Sequence, residues 1–171
     1  MANPIHLWLQ KGTEPGTEKT IGIEGKCPVE GRQGSIEIIA QDHSVELPTD
    51  EHTGKSTGTR IHKPFRFTKE IDATTPYLYK AVSNGETIGI AQFDFYQTEE
   101  GSGQETLFYK TTLKNVKIVK VASKMHDIKD PAKAHYRHME EVELRYEDIT
   151  WEIVDGAVKH TDKWTVRSAS A

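Results

Sequence analysis

Apolar side chains alternate with polar ones at period two through segment after segment of this chain. Ile5, Leu7 and Leu9 alternate with His6, Trp8 and Gln10. Phe65 and Phe67 alternate with Arg66 and Thr68; Val142, Leu144 and Tyr146 with Glu141, Glu143 and Arg145; Ile149, Trp151 and Ile153 follow the same rule. Successive side chains on a strand point to opposite faces, so this pattern specifies half-buried β-strands. Further strands are read at Ser35–Gln41, Val45–Leu47, Ile88–Phe95, Thr106–Thr112 and 113–121, with weaker signals at Ile21 and Ile23. A phase slip near Ala91–Gln92 predicts a β-bulge. Turn signals separate the strands: EEGSG at 99–103, and Asp155-Gly156 as a two-residue hairpin leading into Val158, His160, Asp162 and Trp164.

One segment breaks the alternation. In TTPYLYKAVSNG, Thr75 is placed to cap a helix that begins at Pro76, where a missing N–H costs nothing. Leu78, Ala81 and Val82 recur at helical spacing, and Gly85 suits a left-handed terminus. The helix spans about residues 75–84 and is too short to stand alone, so it must pack on the sheet. The order is not β-α-β-α, which disfavours a doubly wound parallel sheet. About eight to ten strands with one helix and no internal repeat predict a mainly β fold, a closed or nearly closed antiparallel barrel or sandwich. The 171 residues are read as a single domain, 1–171, with a frayed tail at about 167–171.

Composition narrows the function classes. Charged residues make up 28% and carry a net charge of −4 from 22 basic and 26 acidic side chains. The signs are interspersed, so no basic block marks a nucleic-acid interface. No run reaches the roughly 20 apolar residues of a membrane span. The N-terminal MANPIHLWLQKG lacks a basic region followed by an apolar one, so no signal peptide is expected. Cys27 stands alone without a CxxC partner and is read as an inert thiol.

Candidate chemistry is sparse. His126, Asp127, Asp130, His135, His138, Glu140 and Glu141 supply metal-ligand types, but at no recognised spacing; turn chemistry is the simpler reading. A metal-dependent enzyme using the His126–Glu141 region remains an alternative. Glu99-Glu100 and Glu140-Glu141 are adjacent and point to opposite faces, so neither makes a dyad; Glu141 and Glu143 share a solvated face. TGKSTGTR lacks the spacing and the strand and helix of a phosphate-binding loop. Trp8, Trp151 and Trp164 leave open a monomeric glycan-binding β domain. Two polar stretches stand out as long connections, 48–59 and 123–137, and such loops are usually functional or disordered.

Several stretches resemble the haemolysin-coregulated protein (Hcp) family of type VI secretion. They are NPIHLWL, GSIEIIAQDHSVELPTDEHTGKSTGTRIHKPFRFTKEID, TPYLYKAV, MHDIKDP and VELRYEDITWEIVDGAVKHTDKW, in order along most of the chain. Residues 11–33, with Cys27, fit less closely. The resemblance implies a small antiparallel β-barrel of two sheets with one flanking helix. It also implies a non-enzymatic tube subunit without cofactor or metal, forming hexameric rings that stack inside a contractile sheath. Sheath, spike and baseplate proteins and small lumenal effectors are the implied partners, and nucleic acid and membrane insertion are not. The protein is expected in the cytoplasm and then outside the cell, exported without a signal peptide. The arm Pro48, Thr49, Asp50, Glu51, Thr53, Gly54, Lys55, Thr57, Gly58 and Arg60 is the expected ring or stacking contact. Gln41, Asp42 and His43, within Ala40–Ser44, are expected to face the lumen.

Overall fold

The computed structural model describes residues 3–11 and 23–166. The expectations at Ile21 and at the 167–171 tail lie outside them. Among the described residues, eleven strands and one helix follow one another: β1 (Ile5–Gln10), β2 (Ile36–Ile38), β3 (Ala40–Asp42), β4 (Val45–Glu46), β5 (Ile61–His62), β6 (Phe65–Glu70), α1 (Thr75–Asn84), β7 (Thr87–Thr98), β8 (Glu105–Lys124), β9 (Met139–Arg145), β10 (Asp148–Ile153) and β11 (Val158–Lys163).

The main sheet runs β2–β1–β7–β8–β9–β6–β3, with β10 and β11 branching from β8; β4 and β5 form a separate two-stranded sheet. Its ladders are antiparallel throughout. The end strands β2 and β3 are consecutive pieces of one segment, interrupted only at Ile39, whose N–H donates to the Thr68 carbonyl at 2.8 Å. Residues 36–42 therefore leave β1 and join β6. The ends of the sheet are brought together by the chain itself, not by a ladder between them.

Alternation puts one face of each strand into a common core: Leu7, Leu9, Ile36, Ile38, Phe65, Phe67, Ala91, Phe93, Leu113, Val142, Leu144 and Ile149 are all buried there. Phe93 lies at its centre, 4.3 Å from Phe65 and 5.6 Å from Phe67 between ring centroids. Each such ring contributes on the order of 2–3 kcal/mol by burial. The outer face of β1 is not solvated as alternation alone suggests: His6 and Gln10 are also buried. The segment before β2 crosses that face, where Ser35 and Arg32 bond to His6. Ile23 is buried with the core cluster, in irregular chain and not in a strand.

Helix α1 packs against β8. It ends at Gly85 (φ 64°) as expected, but its start differs. Thr74 is the N-cap residue and makes no side-chain cap. The Thr75 hydroxyl is instead buried, accepting the Asp72 N–H at 3.2 Å and donating to Glu140 Oε1 at 2.8 Å. A buried carboxylate claims the hydroxyl that the sequence assigns to capping.

Strand β8 is one twenty-residue strand, not two. On one side it pairs with β7; on the other it pairs first with β10, over Tyr109–Lys114, and then with β9, over Lys117–Lys124. So β9 and β10 lie end to end along β8, joined by Tyr146 and Glu147. Asn115 adopts φ 50° at this junction, a conformation asparagine tolerates better than most residues. Beyond it the sheet forks, because β9 continues to β6 and β10 to β11.

The bulges also differ from expectation. The β7–β8 register is unbroken at Ala91–Gln92 and shifts between Phe95 and Tyr96. The apparent slip arises because both faces are covered there, with Ile88, Ile90, Ala91 and Phe93 all buried. The β10–β11 turn holds four residues, 154–157, since Ile153 pairs with Val158. The left-handed positions fall on Gly156 and Ala157 (φ 82° and 51°), one residue later than a two-residue Asp155-Gly156 turn requires. Among the described residues no helix is long and apolar enough to cross a membrane.

Candidate functional site

The polar stretch 48–59 is a ribbon folded to its tip. Val45 pairs with His62 and Glu46 with Ile61 at its base. Farther out the Thr57 N–H donates to the Pro48 carbonyl at 2.9 Å, and Thr49 and Ser56 form a bridge. At the tip, the Asp50 N–H donates to the Lys55 carbonyl and the Gly54 N–H to the Asp50 carbonyl, each at 2.8 Å. The Asp50 carboxylate accepts the N–H groups of His52 and Thr53 and the Thr53 hydroxyl. Those bonds, the Thr53 N–H first, hold its carboxyl below the ordinary range. Gly54 takes φ 67° at the turn. Glu51, Thr53, Lys55, Thr57 and Gly58 are exposed, and so is Leu47.

Arg60 turns back from the ribbon. Its guanidinium donates to both Asp162 oxygens and, at 2.8 Å each, to the carbonyls of Lys163 and Val166. Arg60 therefore engages its own chain. The ribbon roots in the fork of the sheet, and its roots meet at one hydroxyl: Tyr146 Oη lies 2.7 Å from His43 Nε2 and 2.7 Å from His62 Nδ1. His62 Nε2 lies 2.7 Å from Asp162 Oδ2. His43 stacks on Phe65 at 5.1 Å, and Trp164 and Trp151 cover His62. Burial, and then the neighbouring His62, lower the His43 pKa to about 4. Burial and the nearby Asp162 carboxylate raise that of the Tyr146 phenol. The Arg60 bonds hold Asp162 below its usual value. Of the other residues singled out by sequence, Gln41 (half-buried) and Asp42 (exposed) lie on β3, opposite Phe67 and Arg66.

Tyr146, His62 and Asp162 were not legible as a site. Tyr146 and Asp162 lie 84 and 100 positions beyond His62 along the chain, and each fits an ordinary strand pattern. Alternation gives no signal for His62: it shares the phase of Arg66 and Thr68, yet it is buried on β5 of the separate two-stranded sheet.

The His126–Glu141 residues do not converge. Glu140 is buried against Lys69; Glu141 faces Lys124 at 3.7 Å. Asp127 and Asp130 accept the N–H groups of Lys129 and Ala132, as in turns. The rings of His126 and His135 lie tilted against that of Tyr136, at 4.5 Å and 4.3 Å between centroids. Among the described residues no group of three or more His, Cys, Asp or Glu is placed to hold a metal ion. The three tryptophans share no platform: Trp151 and Trp164 both lie against His62, whereas Trp8 stands on β1 opposite Gln92.

A forked antiparallel sheet that carries an exposed, backbone-bonded ribbon defines a mainly β module. The family model described as "Type VI secretion system effector, Hcp" matches residues 17–153, and the chain belongs to the Hcp family. A "Major exported protein" of Pseudomonas aeruginosa is 32% identical, with 96% of each chain covered. Among solved structures, a mutant of the Hcp1 protein from the E. coli EAEC 042 pathovar is 48% identical with a TM-score of 0.79, covering 95% of this chain and 99% of that one. Secreted protein Hcp3 from Pseudomonas aeruginosa is 25% identical with a TM-score of 0.72, covering 96% and 100%. The chain is thus a tube protein of type VI secretion, a structural subunit and not an enzyme.

Proposed function

We propose that six copies of this chain, each a single domain, close into a ring, and that the rings stack into the inner tube of a type VI secretion apparatus. A heterologous contact that closes gives the ring, and a second contact gives the stack. The rooted ribbon supports this reading: it spans Pro48–Thr59, is folded before any partner arrives, and presents Glu51 and Lys55 at its exposed end. A partner that meets a stiff ribbon does not have to order it, which lowers the entropic cost of association. The ribbon makes the contact to the next subunit or ring, and Arg60 holds it in position. A polar joint of this kind is salt-sensitive. Gln41 and Asp42 line the lumen, where small effectors travel; His43, expected there from the sequence, is engaged by Tyr146 and Phe65 instead. Sheath, spike and baseplate proteins are the outer partners, and export proceeds through the apparatus without a signal peptide.

Light scattering after size exclusion tests the ring: a species of about six times 19.3 kDa is expected. Removing 48–59 and joining the ends with a short turn is expected to spare the barrel and abolish stacking into tubes. Normal tubes from the shortened chain, seen by electron microscopy, would overturn the role assigned to the ribbon.

A further inference from the structure

We propose that His43, Tyr146, His62 and Asp162 form one hydrogen-bonded wire that latches both roots of the ribbon to the fork of the sheet, and that this wire holds one added proton but not two. The second proton opens the latch.

The argument is a count of hydrogens. Asp162 is ionised beside Arg60 and accepts from His62 Nε2. If His62 is neutral, its Nδ1 carries no hydrogen, so the Tyr146 O–H donates to it. The phenol oxygen then accepts from His43 Nε2–H. Every donor has an acceptor, and the wire runs His43 to Tyr146 to His62 to Asp162. Add one proton and the polarity reverses without breaking a contact. His62 now donates from both nitrogens, Tyr146 accepts at its oxygen and donates to His43 Nε2, and the His43 hydrogen moves to Nδ1. Add a second proton and both rings are double donors. Both then aim an N–H at the one phenol oxygen, and the Tyr146 hydrogen has no acceptor left in the wire. Two cationic rings also stand one phenol apart.

The surroundings do not absorb that charge. Asp162 is already shared by Arg60 and His62. Asp42 adjoins His43, but Lys63 and Arg66 flank the same hollow. From β9, Arg145 donates to the His62 carbonyl at 3.1 Å. On β11, Lys163 pairs with Glu147, and His160 stacks on the Trp151 that covers His62. The low proton affinity of His43, with a pKa of about 4 from burial and then from His62, agrees with a wire that resists the second proton. What opens is specific. His43 lies two residues before β4, and His62 ends β5, so loss of the shared hydroxyl frees the ribbon at both roots while the core ladders remain. The device resides in one subunit and goes beyond the ring reading.

Hydrogen exchange of the dilute full-length chain, corrected for the chemical exchange rate at each pH, tests the latch. Protection of residues 44–62 is expected to fall by about tenfold or more between pH 6.5 and 4, with β8 still protected, as a local opening requires. Tyr146→Phe is expected to show the open ribbon already at neutral pH. Constant protection of 44–62 across that range, or its loss only together with β8, overturns the proposal. If Tyr146→Phe does not fold, the profile of the unaltered chain decides alone. The failure of ring formation in light scattering would leave this readout unaffected.

Discussion

Lys69 and Glu140 stand opposite each other on the β6–β9 ladder, and neither side chain reaches solvent. Lys69 Nζ lies 2.5 Å from Glu140 Oε1 and 3.0 Å from Asp72 Oδ1. Glu140 Oε2 has no hydrogen-bond partner among the described residues. Taking one partner away strands a buried charge, whereas replacing both with apolar groups is often neutral or better. Lys69→Met or Glu140→Ala alone is expected to cost roughly 3–5 kcal/mol in urea denaturation. Lys69→Met combined with Glu140→Leu is expected to recover most of it. A double variant as weak as the singles would show that packing, not charge, sets the cost.

Acid weakens the face where the segment before β2 crosses β1. Arg32 has only donors, so His6 Nε2 accepts from it at 3.3 Å, and His6 Nδ1 donates to Ser35 Oγ at 2.9 Å. Burial first, and the Arg32 charge second, lower the His6 pKa from 6.5 to about 4. Between those values the unfolded chain binds a proton that the native chain does not. This contribution to stability is complete above pH 6.5 and is lost as pH falls towards 4. The urea midpoint should therefore drop on acidification. His6→Gln should flatten part of that slope, His43 accounting for another part. An unchanged slope in the variant would refute the assignment.

Gly25 permits the same crossing in another way. Its N–H donates to the Gly34 carbonyl at 2.9 Å, and a Cβ there would lie 2.0 Å from the Ser35 carbonyl oxygen. Backbone must yield, so Gly25→Ala is expected to destabilise by about 1–3 kcal/mol. Faster exchange confined to residues 23–35 should accompany the lowered melting temperature. A neutral result would mean that this segment shifts freely on β1.

Arg60 is expected to resist its conservative replacement. A lysine at this position keeps the charge but loses the planar fork that meets both Asp162 oxygens and two carbonyls. Arg60→Lys should cost about 1–2 kcal/mol and raise exchange in the ribbon before the barrel. Stability and ribbon protection equal to the parent chain would show that charge alone suffices.

Much of this fold was legible because period two is enforced by a one-sided core. Phe65, Phe67, Val142 and Leu144 could be assigned inward from spacing alone, and Pro76 with Gly85 bounded the helix. Spacing is silent on partners, however. Nothing local tells that β9 and β10 share β8, or that the chain turns at Ile39 to connect β1 with β6. Polar residues misled for two reasons: the segment before β2 covers His6, whereas Lys69 and Glu140 occupy the inward phase of β6 and β9 and are buried there as an ion pair. Of the site, Pro48–Arg60 was legible as an arm because it lacks large apolar residues, but its folding into a ribbon was not. That folding rests on backbone bonds, which leave no compositional trace. Its roots depend on Tyr146 and Asp162, which become neighbours only after folding.

The twenty-residue span of β8 gives the subunit a mechanical grain. A pull along this strand puts its flanking ladders in shear, so that many hydrogen bonds share the load at once. A pull across it peels the same bonds one after another. The subunit therefore resists a pull along β8 more than a pull across it.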